Sequence, residues 1–569
     1  MKIRLLLSLS LLLIACEPAE QPPSVPYTAQ KTAIGNEAAA VTPHPLSTQV
    51  AMDILKQGGN AVDAAIAVQF AMAAVFPRAG NLGGGGFMLV RLPGGQADAL
   101  DYREKAPMQA QRDMYLDSTD QVVEGLSREG ALAVGVPGTV AGMQAAFDKY
   151  SALQDWDALL QPAIDYAEQG YRISPTEAER LNRFQEDFRE FNMPPNPFIQ
   201  DTFYAGYLLR QPTLAKTLRL IQQQGATAFY EGAPARAIAQ EMESRGGLIT
   251  ELDLSAYRPA WRTPVAVNYR DYRILSMPPS SSGGVALGQM LQMVEPFRLF
   301  EHEFQGPQAV HIMVEAERRA YADRAQYLGD SDFYDVPIDS LLSPSYLAGR
   351  MDDFRPDLAT ESETVAAGDF KLVKESFETT HTSVVDAEGM AVSVTTTLNS
   401  NFGSKIWVKD GGFFLNNEMD DFSAKPGVPN QFGLLGSEAN AIAPEKRMLS
   451  SMTPTIIERK GELFMVLGAP GGSTIITAVF QVFLNVADFG LNLEQAVQAG
   501  RFHHQWLPDE ILVEKGALPD STRQALQAMG HSFREVERMA VIKAILREKD
   551  GTLRAVGDPR NPDDDARGY

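Results

Sequence analysis

Thr379 and Thr380 head the run Glu378-Thr379-Thr380-His381-Thr382-Ser383-Val384-Val385-Asp386, whose alternation reads as the first strand of a new unit. A threonine hydroxyl is a poor nucleophile until a base takes its proton. An N-terminal threonine carries such a base in its own α-amine, whose reference pKa of about 7.7 to 8.0 leaves a neutral fraction near pH 7. That amine exists only once the chain is cut before Thr379. Attack of the Thr379 hydroxyl on the carbonyl of Glu378, an N-to-O acyl shift, followed by hydrolysis of the ester would make the cut without a protease. Negative charge developing on an attacked carbonyl needs fixed donors, and the N–H groups of Gly471-Gly472, ahead of a helix start, would provide them. By composition alone a bland reading wins: Thr-Thr pairs are common in strands and Gly-Gly is common in turns.

Other catalytic patterns are missing. There is no G-x-S-x-G elbow and no H-E-x-x-H, and the seven histidines show no metal-ligand spacing. His503 and His504 are adjacent, point to opposite faces if they lie on a strand, and read as structural. The run Gly83-Gly84-Gly85-Gly86 lacks the pattern of a phosphate cradle and reads as close backbone packing ahead of a core strand, Phe87 to Val90. Arg103, in Asp101-Tyr102-Arg103-Glu104, reads from its own segment as a surface salt bridge. The charges of Glu315 to Arg319 read as a solvated or interlocking helix face.

The elements that must position these residues follow from periodicity. A helix is expected from Ser47 to about Gly58. A second, capped by Asn60 and apolar on most faces, runs from Ala61 to about Val75, which marks a buried layer. From Gly138 to about Arg350 the chain reads as mostly helical, with breaks at Pro195-Asn196-Pro197 and at Pro278 to Gly284. After Thr379 the pattern turns to strands: Thr382 to Val385 and Ala391 to Leu398 around the turn Asp386-Ala387-Glu388-Gly389, then Gly412 to Leu415, Thr455 to Glu458 and Leu463 to Leu467. A long apolar helix from Thr474 to about Val486 follows Gly471-Gly472-Ser473. Helix-rich and strand-rich parts that cannot each close a core imply one interwoven α+β unit of stacked layers.

With 569 residues, 44% of them hydrophobic, the chain can bury a large core. A net charge of -22 argues against nucleic acid or an anionic membrane surface as the main partner, and any anionic substrate needs local cations. Lys2 and Arg4 precede the apolar run Leu5 to Ala15, too short to span a bilayer and suited to an export signal. Leu13-Ile14-Ala15-Cys16 resembles a bacterial lipobox. Cys16 is the single cysteine, so disulfides within the chain are excluded and lipidation at Cys16 is expected. Residues 1–15 then form a signal peptide and 16–31 a lipid-anchored, Pro-rich linker on the periplasmic side. Glu17, rather than Asp, after Cys16 points to the outer membrane.

The run from Thr379 to Asp386 resembles the start of the small subunit of the γ-glutamyltransferases (γ-glutamyltranspeptidases), members of the N-terminal nucleophile hydrolases. The resemblance extends, in family order, through Asn60 to Ala65, Gly83 to Met88, Asp101 to Glu104, Asn416 to Gly427, Leu449 to Met452, Pro470 to Ser473 and Arg501 to His504. It implies a four-layer αββα sandwich made from one precursor, with residues 32–378 as large subunit and 379–569 as small catalytic subunit, cut between Glu378 and Thr379. By the same resemblance Thr379 is the nucleophile, Thr397 a second threonine that helps activate it, and Gly471 and Gly472 the oxyanion hole. Arg103, Ser450 and Ser451 are expected to hold the α-carboxylate of a γ-glutamyl group, and Asn399, Glu418 and Asp421 its α-ammonium. No metal or organic cofactor is implied. The implied substrates are glutathione and related γ-glutamyl compounds, with water or the amine of an amino acid or peptide as acceptor.

Glu418 stands where some bacterial members have Gln, and Phe432 where several carry Tyr in a lid loop. The rival readings are an acylase on the same scaffold that removes a glutaryl side chain, and a non-catalytic lipoprotein that binds γ-glutamyl peptides. A glutaryl group lacks the ammonium that Glu418, Asp421 and Asn399 would serve.

Overall fold

The hairpin of strands Thr380–Val385 and Ala391–Thr397 is the centre of the molecule. Asp386 and Met390 close its turn, where the Met390 N–H donates to Asp386 Oδ1 at 2.9 Å and Gly389 takes φ 84°. The antiparallel register pairs Thr380 with Thr396 and Val385 with Ala391. The strand Ala39–Thr42 pairs with one side of the hairpin and Gly85–Arg91 with the other, and the sheet is completed by Ala97–Asp101, Ala260–Arg262 and Asp565–Gly568. The computed structural model describes residues 25–365 and 379–569. Cys16, Glu378, the leader 1–15 and most of the linker 16–31 lie outside the described residues.

Both faces of this sheet are covered at its centre, so the two strands of the hairpin are buried throughout rather than alternately. Val384, Val392 and Val394 pack on the helix Ala61–Val75, whose residues are all buried, matching its lack of a polar face. Asn60 caps that helix reciprocally with Asp63, and the Ala61 N–H donates to Asp386 Oδ2 at 2.9 Å. On the opposite face Ser393 Oγ donates to the Leu467 carbonyl at 3.1 Å and Ser383 Oγ to the Lys543 carbonyl at 3.2 Å, both in a second sheet. That sheet runs Thr32–Gly35, Leu553–Gly557, Lys543–Arg547, Glu462–Gly468, Thr455–Arg459, Tyr272–Ser276, Val265–Tyr269. Helices Gly283–Val294, Pro307–Tyr327 and Thr474–Ala487 close its outer side, giving helix, sheet, sheet, helix.

Each sheet interleaves strands from before and after residue 378. The strand Ala39–Thr42, for example, sits between Thr380–Val385 and Asp565–Gly568.

The mostly helical expectation for 138–350 needs correction at Val265–Tyr269 and Tyr272–Ser276, which form an edge hairpin of the second sheet. Its alternating Val265-Ala266-Val267-Asn268-Tyr269 is a period-2 signal hidden among helices. The Gly83 to Gly86 run is a close approach, as read: a Cβ there would lie 2.1 to 2.5 Å from a backbone oxygen of Phe414, Thr397, Tyr102 or Thr395. Glu315 to Arg319 form an interlocking face, not a solvated one. Arg319 pairs with Glu315 and Asp353, and Arg318 with Asp509.

Candidate active site

The register that sets Thr380 against Thr396 leads, one rung outward, to Thr379 opposite Thr397. Side chains alternate along a strand, so Thr379 shares the inter-sheet face with His381 and Ser383, and Thr397 shares it with Thr395 and Ser393. His381 Nδ1 and Thr395 Oγ1 are 2.8 Å apart on that face. Burial pushes His381 well below the ordinary histidine range, so it is a neutral spacer beneath the threonines. Thr397 Oγ1 accepts the Asn399 N–H at 2.7 Å, and Thr397 lines the same pocket as Glu418, which sets the threonine beside the charged end of the site.

Gly472 faces Thr379 across one pocket, which Arg103, Thr397, Asn399, Glu418, Asp421, Ser450 and Ser451 also line. Gly471, its neighbour in the chain, is not among the residues that line the pocket. The turn is built for glycine: Gly472 has φ 55°, and a Cβ on it would meet the Phe432 ring at 2.7 Å. Thr474 holds the turn by donating from N and Oγ1 to the Gly471 carbonyl, at 3.1 and 2.8 Å. Among the described residues the N–H groups of Gly471 and Gly472 donate to no protein acceptor, which leaves them for a substrate oxygen.

Glu418–Asp421 is a single 3-10 turn, in which side chains three apart eclipse, so Glu418 and Asp421 project to the same side. They converge on Arg103, which is 1% exposed. Its Nη1 lies 2.7 Å from Glu418 Oε2, Nη2 donates to Asp421, and Nε donates to the Met448 carbonyl at 3.3 Å. Arg103 is therefore a buried ion-pair centre, not the surface salt bridge its own segment indicates. The sequence reading set Arg103 and the two carboxylates at opposite ends of a ligand; the structure puts them in contact, because a buried charge needs a partner.

A third carboxyl, Glu104, lies 3.5 Å from Arg103 with no hydrogen bond to either oxygen, and burial pushes it up to about 8. Burial also raises Glu418 well above the carboxylate range and lifts Asp421 to about 6, in each case against the pull of Arg103. Asp420 points away, accepting from Ser127 Oγ and the Gln431 N–H, and so fixes the loop that carries Phe432. Asn430 Nδ2, at 3.4 Å from Asp421 Oδ1, and Gln505 Nε2, at 3.3 Å from the Phe432 carbonyl, hold the loop closed without a tyrosine hydroxyl.

Ser450 and Ser451 rest on the serine break after Pro279. The Ser450 N–H donates to the Ser280 carbonyl at 3.0 Å, and Ser282 donates from N and Oγ to the Ser450 carbonyl, at 2.8 and 2.7 Å. One charged lining residue is absent from the sequence reading: Arg324, from the helix Pro307–Tyr327, donates to Ser282 Oγ at 3.0 Å and to Ser451 Oγ at 3.2 Å.

The reading that histidines lack metal-ligand spacing also needs qualification. His311 and Glu315, four apart on that same helix, meet His531 closely enough to hold an ion. Those donors are already engaged, His311 Nδ1 with His531 Nε2 at 2.8 Å and Glu315 with Arg318 and Arg319, and two guanidinium groups repel a cation.

A sequence profile of the family described as Gamma-glutamyltranspeptidase matches residues 47–568. The chain belongs to the gamma-glutamyltranspeptidase family. Within it, the chain is 46% identical over 531 residues to the glutathione hydrolase proenzyme of Escherichia coli strain K12, covering 92% of this chain and 90% of that one. The gamma-glutamyltranspeptidase of Helicobacter pylori is 42% identical, with a TM-score of 0.56 over 60% of this chain and 97% of the chain compared. The cephalosporin acylase of Bacillus halodurans is 26% identical, with a TM-score of 0.81 over 97% of this chain and 99% of its own. The fold of this gamma-glutamyltranspeptidase family member is thus the N-terminal nucleophile hydrolase sandwich, as the layers above describe.

Proposed function

We propose that the chain is a self-processing γ-glutamyltransferase and glutathione hydrolase. The observation that carries this reading is the pocket that joins Thr379, Thr397 and Gly472 to Arg103, Asn399, Glu418, Asp421, Ser450 and Ser451. A binding protein for γ-glutamyl peptides would need the charged half of that pocket and not the threonines and the glycine turn.

In this reading Thr379 first attacks the Glu378 carbonyl, and hydrolysis of the ester frees the Thr379 amine. The mature Thr379 hydroxyl then attacks the γ-carbonyl of a bound γ-glutamyl compound and passes its proton to that amine, with Thr397 orienting it. The N–H groups of Gly471 and Gly472 stabilise the oxyanion. Collapse of the tetrahedral intermediate expels the amine, and water or an acceptor amine attacks the Thr379 ester in a second round. Because both sheets interleave residues 32–378 with 379–569, the cut leaves the two subunits joined as one heterodimer. Export and lipid anchoring at Cys16, on the periplasmic face of the outer membrane, belong to the same reading.

The test is intact mass together with product analysis. Two chains split between Glu378 and Thr379, with glutamate released from glutathione and γ-glutamyl transfer to an added dipeptide, are expected. Thr379→Ala is expected to stay one chain and to release nothing; a Thr379→Ala protein that still matures would end the self-processing reading. Equal turnover of a glutaryl amide would favour the acylase instead.

A further inference from the structure

Each nitrogen of Arg103 is already engaged: Nε donates to the Met448 carbonyl, Nη2 donates to Asp421 and Nη1 lies 2.7 Å from Glu418 Oε2, which leaves only the second N–H groups of Nη1 and Nη2 for a ligand. A γ-glutamyl α-carboxylate entering this pocket meets a cation that Glu418 and Asp421 already flank. Arg324 is placed differently. It is 4% exposed and lines the same pocket, yet among the described residues no carboxylate lies within ion-pair distance of it. Its Nε and Nη2 donate to the neutral hydroxyls of Ser282 and Ser451, and Nη1 makes no hydrogen bond among the described residues. Burial lowers its pKa to about 10, with Asp421 and Tyr321 opposing the shift, so it stays charged at neutral pH.

A buried guanidinium without a counter-ion is costly unless an anion completes it. Arg324 lies against Ser451, and through Ser282 against the Ser450 carbonyl, the serine side of the pocket. The lining sets two guanidinium groups, Arg103 and Arg324, beside the acids Glu418 and Asp421, which suits a ligand that is itself a zwitterion.

On the reading of the site given above, we infer that Arg324 is a second carboxylate anchor, which binds the α-carboxylate of the γ-glutamyl group together with Ser451 and makes an α-carboxylate a requirement of the substrate. Arg103 then shares that carboxylate while positioning Glu418 and Asp421 for the ammonium. The arrangement divides the ligand between fragments, since Arg103 and Arg324 come from residues 32–378 and the serines and carboxylates from 379–569.

The test measures binding by calorimetry to the matured protein, so it needs no turnover. The ligands are L-glutamate, glutarate, which lacks the α-ammonium, and 4-aminobutyrate, which lacks the α-carboxylate. Arg324→Gln is expected to weaken L-glutamate and glutarate by roughly 10- to 100-fold, the range for one charge-assisted hydrogen bond, and to leave 4-aminobutyrate within about twofold. Arg324→Lys, which keeps the charge, is expected to lose less and on the same two ligands. Equal weakening of all three ligands would mean a merely structural role and overturn the inference, as would no weakening at all. If Arg324→Gln does not mature, the same comparison is made with Arg324→Lys, where an equal loss on all three ligands again overturns it. A wild type that binds L-glutamate but releases none from glutathione would sink the enzyme reading and leave this inference standing.

Discussion

Arg103 and Glu418 meet at 2.7 Å between Nη1 and Oε2, both essentially out of contact with solvent. The two groups that would receive opposite ends of a zwitterion thus occupy each other beforehand, with burial favouring the proton on Glu418 against the pull of Arg103. The ligand exchanges one set of buried polar contacts for another and brings no net charge into the protein, which keeps the desolvation cost of binding low.

Asp421 makes this exchange depend on pH. Burial raises it to about 6, with Arg103 pulling against burial and Asp420 adding to it. Below that value it is protonated and cannot oppose an ammonium charge. KM for a γ-glutamyl substrate is therefore expected to rise as pH falls below about 6, approaching tenfold per pH unit if only the ionised form binds. Asp421→Asn should have a high KM at every pH and lose this limb. A wild-type KM that stays flat from pH 7 to 5 would remove Asp421 from the ammonium site.

Gly472→Ala should separate chemistry from stability. An alanine at φ 55° costs about 1–2 kcal/mol, and its Cβ would press on the Phe432 ring from 2.7 Å. The ring can shift, but the turn that aims the Gly472 N–H moves with it. Loss of an oxyanion donor costs about 100- to 1000-fold in kcat, far more than the strain alone would produce. Parallel measurement of kcat and thermal midpoint checks this, and a normal kcat would show that the Gly472 N–H is not a donor in the reaction.

How much of this was legible in advance depended on whether a residue acts through its neighbours in sequence. The Gly471-Gly472 pair before an apolar helix and the run after Thr379 carry local signals, Glu418 and Asp421 came from the family resemblance, and the structure brings Thr379, Glu418, Asp421 and Gly472 to one pocket. The helix Ala61–Val75 was readable because it is apolar on most faces. Arg324 was not, since it is one of several arginines on a charged helix and only the approach of Ser282 and Ser451 sets it apart. From its own segment alone Arg103 read as a surface group for the same reason, its partners being more than 300 positions away, and only the family resemblance placed it in the site. The hairpin of Val265–Tyr269 and Tyr272–Ser276 was lost among helices because each strand spans only five residues.

The adjacent histidines give the last prediction. His503 is fully buried, with Nδ1 2.8 Å from Thr477 Oγ1 and Nε2 2.9 Å from Gln505 Oε1, a bridge between the apolar helix and the chain beyond it. Burial pushes its pKa down to about 3, against the hydrogen bond to Gln505 and with help from His504 and Arg534. Unfolded, it would titrate near about 6.5. Between those values the unfolded chain holds the extra proton, so the contribution of neutral His503 is fully present above about pH 6.5 and is lost as pH falls through that window. The loss amounts to about 1.4 kcal/mol per pH unit. His503→Gln removes the titration and leaves His381, His504 and His531 to shift alike in both proteins. The variant should be less stable than the wild type at pH 7, and the gap should narrow by about 2 kcal/mol at pH 5, read from denaturant midpoints. A gap that is the same at both pH values would mean that His503 is not held neutral in the folded protein.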